Sequence, residues 1–128
     1  MKIDSNIVKK ILTLAAIIEA VTGLALMIVP ALVVQLLLGA EISGVGVPLG
    51  RCFGIALLAL ALACLPGRQR REAAAPAVRA MWTYNALLAA YLTYLGTAGH
   101  LGGLLLWPAV ALHAGMAIAI AWYSRYRS

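Results

Sequence analysis

Charge is scarce in this chain. Only 11% of its 128 residues are Asp, Glu, Lys or Arg, and just four of those are acidic. With a hydrophobic fraction of 64%, that composition lies well outside soluble-globular usage. A domain this short has too poor a surface-to-volume ratio to hide so much apolar surface from water, so the bilayer is its natural solvent. Cysteine and histidine are also rare, two of each. Cys52 and Cys64 fall twelve positions apart in one apolar segment, about 18 Å along a helix, whereas a disulfide needs Cα atoms ~4.4–6.8 Å apart. That excludes a bridge between them and leaves two small apolar side chains. His100 falls in a turn and His113 deep in an apolar run, roughly 15 Å or more apart along a membrane normal, so they cannot clamp one haem. No H-x-x-x-H or C-x-x-C spacing occurs, so no metal and no other cofactor is expected. A nucleophile constellation and a phosphate loop are missing too, and no catalytic residue is assigned.

What the chain has in plenty is long apolar runs. They predict a single all-α domain over residues 1–128, an integral membrane bundle of four transmembrane helices. The spans are read at about 8–29, ending at Pro30; 49–65, ending at Pro66-Gly67; 80–97, before the Gly99–Gly103 turn; and 104–123. Each is near the ~17–25 residues that cross the hydrocarbon. Segment 31–38 is left over. Added to the first span it would make a helix of about 45 Å, so Pro30 is read as a break that lays this piece in the interface or folds it back into the bilayer. A linker with four glycines and Pro48 follows, over Gly39–Gly50.

Ten basic residues against four acidic ones give a net charge of +6. They gather at span ends rather than on one helical face, which argues against nucleic acid as a partner and for membrane insertion. With the amino terminus inside, Lys2, Lys9, Lys10, Arg68, Arg70, Arg71, Arg79, Arg125 and Arg127 are cytoplasmic, and only Arg51 is outside. Both termini are therefore expected in the cytoplasm, in a cell inner (plasma) membrane. Trp82 and Trp122 then mark the inner interface with Tyr123 and Tyr126, and Trp107 marks the outer one. A cleaved signal peptide fits poorly, because its apolar region would be too long and no small-x-small site follows.

Helices in lipid pack by close backbone approach, and small residues are placed for it. Ala16, Ala20 and Gly23 share a face of the first span, and Gly50 and Gly54 open the second as G-x-x-x-G. Ala86, Ala90, Thr93 and Thr97 stripe the third, and Ala111, Gly115 and Ala119 the fourth. A short echo, Pro30-Ala31-Leu32-Val33 against Pro108-Ala109-Val110-Ala111, links the two halves of the chain.

One acid stands inside a span: Glu19, in ILTLAAIIEAVTGLALMIV. An ionisable group in hydrocarbon is costly and needs a partner, a cavity or a lipid-free interior. Helical rise puts Glu19 about 13 Å in from the cytoplasmic end of its span and His113 about 15 Å in from the same side. The expected intramembrane polar cluster is Glu19, His113, Tyr91 and Asn85: a buried pair able to exchange a proton, with Tyr91 or Asn85 completing the hydrogen bonds. Its alternative is a purely structural Glu19, protonated or bonded to Thr22 and nearby backbone. At the outer surface Arg51 either snorkels, pairs with Glu41, or joins His100 in an anion or headgroup site.

Glu19 with Gly23, and the R-x-x-G-x-A-L-L stretch from Arg51 to Leu58, together with four spans in so short a chain, resemble a group of uncharacterised small bacterial inner-membrane proteins of DoxX-like type. The likeness covers most of the chain as architecture, and those two stretches are its motif-like parts. It implies a four-helix membrane bundle that serves as an accessory subunit of redox or respiratory machinery. Three functions follow. The first is an accessory or assembly protein that packs against a larger membrane complex or itself as a homo-oligomer. The second is a small proton-coupled transporter using Glu19. The third is an intramembrane lipid-binding protein or enzyme using Glu19 and His113. Membrane lipid is a partner in all three.

Overall fold

The computed structural model describes residues 5–65 and 74–125. Lys2, Arg68, Arg70, Arg71, Arg127, Tyr126 and the Pro66-Gly67 stop lie outside the described residues, and with them most of the charge asymmetry. The described chain is all-α, with five helices: α1 (Ser5–Ile28), α2 (Pro30–Leu38), α3 (Gly46–Cys64), α4 (Ala74–Thr97) and α5 (Leu106–Arg125). Three are long and apolar enough to cross a membrane: α1, α3 and α5. At 24 residues α4 matches α1 in length, but its apolar run is interrupted by Asn85, three tyrosines and three threonines.

Proline sets where the helices start. Pro30, Pro48, Pro76 and Pro108 all lie in the first turn of a helix, where the missing N–H would have had no intrahelical partner anyway. This carries α3 back to Gly46, inside the glycine-rich stretch read as a linker, and α4 back to Ala74. Three threonine hydroxyls within the helices are satisfied locally. Thr13 donates to the Lys9 carbonyl, Thr93 to Ala89 and Thr97 to Thr93, at 2.7–2.8 Å.

The helices pair as α1 with α3 and α4 with α5, with thinner contact between the pairs. The α1–α3 seam depends on two glycines. A Cβ on Gly23 would sit 2.8 Å from the Gly54 carbonyl oxygen, and one on Gly54 would meet the Gly23 carbonyl in turn. These are the small-residue faces expected of membrane helices, brought to backbone contact.

The leftover segment is a nine-residue helix, α2, about 13 Å long and too short to span. Val29 leaves the helical region (φ −130°, ψ 57°), Pro30 restarts the helix, and Gly39 ends it in the left-handed conformation (φ 68°). The last α2 carbonyls are capped from a distance by the α4–α5 loop. Gly102 N–H donates to Leu38, Gly103 to Leu37 and Leu105 to Leu36, at 2.8–3.1 Å. A Cβ on Gly103 would collide with the Leu36 carbonyl, so the loop reaches α2 because it has none. Gly50 likewise lets α3 close on Pro30.

At the end of the bundle where α1 begins and α5 finishes, Val8, Leu12, Ala15, Cys64, Ala77, Met81, Met116 and Ile120 form a buried cluster. At the opposite end α1, α2, α4 and α5 stand around a cleft of about 530 Å³, with Phe53 and Leu57 of α3 on its wall.

Candidate functional site

Three polar side chains are buried where the packed end gives way to the cleft. Glu19 of α1 and Asn85 of α4 are each 2% exposed, and His113 of α5 is 8% exposed. Each comes from a different helix, and together they tie the α1–α3 pair to the α4–α5 pair.

Asn85 organises the cluster. Its amide Nδ2 donates to the Met81 carbonyl one turn back at 2.9 Å, so its Oδ1 is the end turned to His113. His113 Nδ1 lies 2.8 Å from that oxygen. An amide oxygen only accepts, so Nδ1 carries a proton, and in a neutral ring Nε2 then holds the lone pair. The nearest Glu19 oxygen, Oε1, stands 3.9 Å from Nδ1. That is an electrostatic contact rather than a hydrogen bond. Among the described residues, Glu19 Oε2 is the buried side-chain oxygen with no hydrogen-bond partner.

Tyr84, not Tyr91, is the tyrosine of this site. The Tyr84 ring meets the His113 imidazole edge-on, with centroids 5.8 Å apart and planes at 85°, and its phenol neighbours the Glu19 carboxyl as a hydrogen-bonding group. Tyr91 is 58% exposed and stacks on Tyr94, with centroids 6.3 Å apart. Seven residues are nearly two full turns, so the two tyrosines share a face of α4, and about 10 Å further along the helix that face is uncovered at Tyr91. Depth counting along the sequence selects Tyr91; the buried layer lies about two turns nearer the start of α4, at Tyr84 and Asn85.

Two spaces adjoin the cluster. A void too small for a water molecule lies against Glu19, Asn85 and His113, walled by Ala15, Ile18, Leu112 and Met116. The large cleft begins on the other side of His113 and Tyr84, and Ile18, Leu112 and His113 line both spaces. Its remaining wall is almost wholly aliphatic, including Leu32, Leu36 and Leu37 of α2 and Leu105 and Ala109 of α5. Leu32, Phe53, Leu105 and Leu112 are wall residues and also exposed, so the cleft opens sideways, toward whatever surrounds the helices.

Arg51 and His100 are exposed, and among the described residues no hydrogen bond or ion pair joins them to each other or Arg51 to Glu41. The backbone of His100 is held at φ 53°, a turn conformation. Both cysteines are free thiols: Cys52 is exposed, and Cys64 is buried with Sγ 3.6 Å from the Ala77 carbonyl oxygen. Among the described residues, no three His, Cys, Asp or Glu side chains gather in a way that would hold a metal ion.

Comparison with protein-family models, curated proteins and solved structures gave no match.

Proposed function

We propose that this chain is a four-span integral membrane protein that binds a lipid-like amphiphile in the cleft between its two helix pairs. In this reading α4 is the fourth span, less apolar than the others because it supplies the inward-facing Asn85 and Tyr84. The termini lie in the cytoplasm of a bacterial inner membrane, as the basic span ends indicate. The observation that carries the reading is the cleft itself. A pocket of ~300–1,000 Å³ with apolar walls and a few convergent polar groups is the usual form of a small-molecule site. Here about 530 Å³ of aliphatic space opens toward lipid and ends on His113 and Tyr84. An acyl or similar chain suits the walls, and a head group suits the closed end.

The test is photolabelling in nanodiscs with a long-chain primary alcohol carrying a diazirine in its tail. Crosslinks are expected on cleft residues such as Leu36 and Ala109, and excess unlabelled alcohol should remove them. Labelling spread evenly over outward residues such as Leu62 and Leu87, with no competition, would sink the reading.

One observation favours a second reading, in which the chain is an accessory or assembly subunit, either of a larger complex of the kind implied by the DoxX-like resemblance or as a homo-oligomer. The α5 stripe faces outward: Ala111 and Gly115 are exposed, and a Cβ on Gly115 would meet nothing within 4 Å. Small residues on an open face invite another helix. The two readings are compatible, since a binding subunit can also assemble. A proton-coupled carrier has less in its favour, because Glu19 sits against a void with no room for water.

A further inference from the structure

We infer that the cleft selects amphiphiles whose head group donates a hydrogen bond, with His113 Nε2 as the acceptor. This rests on the lipid-binding reading and adds the head-group chemistry to it.

Most polar atoms at this end of the cleft are already engaged. Asn85 is fixed at both ends, its Nδ2 on the Met81 carbonyl and its Oδ1 on His113 Nδ1. The Glu19 carboxyl lines the small void, not the cleft. The Tyr84 phenol lines the cleft but is engaged with Glu19. Thr22 is also on the cleft wall, but a hydroxyl donates as readily as it accepts and so discriminates nothing. His113 is different. Its Nδ1 is turned to Asn85 and Glu19, so Nε2, on the far side of the ring, is the nitrogen left for the cleft. Because Nδ1 carries the proton, Nε2 offers a lone pair and no hydrogen. Asn85 is therefore a positioning residue: by fixing the tautomer it makes the polar end of the cleft an acceptor.

The ring is read as neutral on geometry. An imidazolium this deep in hydrocarbon would draw its N–H onto the available carboxylate in a short charge-assisted bond. Instead Nδ1 makes its short contact, 2.8 Å, to a neutral amide and stands 3.9 Å from Glu19. A ligand O–H or N–H thus finds a partner at Nε2. An ether or ester head brings only lone pairs to face another lone pair, and loses the hydrogen bonds it had with water.

The test uses two competitors with the same tail, a long-chain primary alcohol and its methyl ether, each displacing the photoactivatable alcohol from the full-length protein in nanodiscs. The alcohol should compete about tenfold better than the ether, the ratio that one net hydrogen bond supplies. In His113→Phe the ratio should fall below about twofold while the ether competes as before, which shows that the cleft is intact. His113→Leu provides the same reading if the phenyl ring does not fit. Equal competition by the two in the native protein overturns the inference and leaves the lipid-binding reading standing. A preference for the ether overturns it too, and assigns His113 as a donor paired with Glu19. A tenfold alcohol preference that survives in a folded His113 variant overturns it by placing the acceptor elsewhere. If neither compound competes, it is the lipid-binding reading that fails.

Discussion

The two ends of this bundle are made from the same kinds of residue and reach opposite results. At the end where α1 begins and α5 finishes, four helices meet, and Leu12, Ala15, Met81 and Ile120 close on one another with little exposure. At the other end a fifth helix, α2, is wedged in, and the space behind it is a cleft lined by valine, leucine and alanine. Hydrophobicity does not distinguish the ends. In lipid, apolar side chains gain no hydrophobic drive to meet each other, so close packing requires matched shapes or backbone contact. The packed end has that match. At the hollow end α2 is held instead by its backbone, through the α4–α5 loop, and its side chains are left to line the space. The polar layer of Glu19, Asn85 and His113 lies on the boundary, where it joins the two helix pairs and gives the cleft its one chemically distinct end.

One substitution made twice on one helix should separate the two ends most clearly. Ala15 lies 1% exposed in the packed cluster, while Ala25, ten residues further along α1, lines the cleft. Ala15→Leu forces three extra carbons into a packed surrounding whose adjoining void cannot hold even a water molecule, and should destabilise the protein by about 1–3 kcal/mol or more. Ala25→Leu places the same carbons in open space and should leave the melting temperature in detergent unchanged or raise it slightly. Equal losses at both positions would mean that the cleft closes in the membrane and that the two ends do not differ.

Much of this architecture can be read from the sequence, and the reasons it stops are physical. Apolar runs place the long helices within a few residues except at the start of α4, where Pro76 opens the helix at Ala74, well before the apolar run begins. Counting helical rise puts Glu19, His113 and Tyr91 at similar depths with Asn85 and Tyr84 a turn or two nearer the cytoplasm, whereas the structure joins Asn85 to His113 and stands Glu19 beside them. Rise within one helix does not fix how far that helix slides past its neighbours, and a slip of about two turns is enough to choose Tyr91 in place of Tyr84 on the same face. The cleft is harder still. Val33 or Leu36 facing a void has the same hydropathy as one facing a neighbour, so no apolar pattern distinguishes them. The docking of α2 depends on backbone groups, and its only trace in the sequence is the glycines at 39, 102 and 103. Ala111 and Gly115 show the same limit, because a small-residue stripe reads alike whether it faces inward, as Ala16 and Gly23 do, or outward.

The boundary layer offers a smaller effect that separates a positioned group from an unpaired one. Asn85→Leu removes the acceptor for His113 Nδ1 and frees the Met81 carbonyl, so a loss of about 1–2 kcal/mol is expected by reversible unfolding in bilayers. Glu19→Gln keeps the shape of a side chain whose Oε2 has no partner and whose Oε1 is 3.9 Å from His113, and should cost under about 0.5 kcal/mol. The opposite order would make Glu19 the organising group of the layer and would revive the carrier reading, in which that carboxyl does the work.

The smallest expected difference concerns single oxygens on one helix. Tyr84→Phe deletes the hydroxyl beside Glu19 and should lower stability by roughly 0.5 kcal/mol, near the average for a hydrogen bond within a membrane. Tyr91→Phe deletes a hydroxyl from a ring that is 58% exposed and stacked on Tyr94, and should leave stability unchanged within about 0.3 kcal/mol. Because Tyr84 lines the cleft and Tyr91 does not, the pair can also be scored by the photolabel. Tyr84→Phe keeps the ring and leaves His113 as the acceptor, so the preference for alcohol over ether should survive it. A lost preference would move the head-group contact from the imidazole to the phenol, and the polar end of the cleft would then belong to α4 rather than α5.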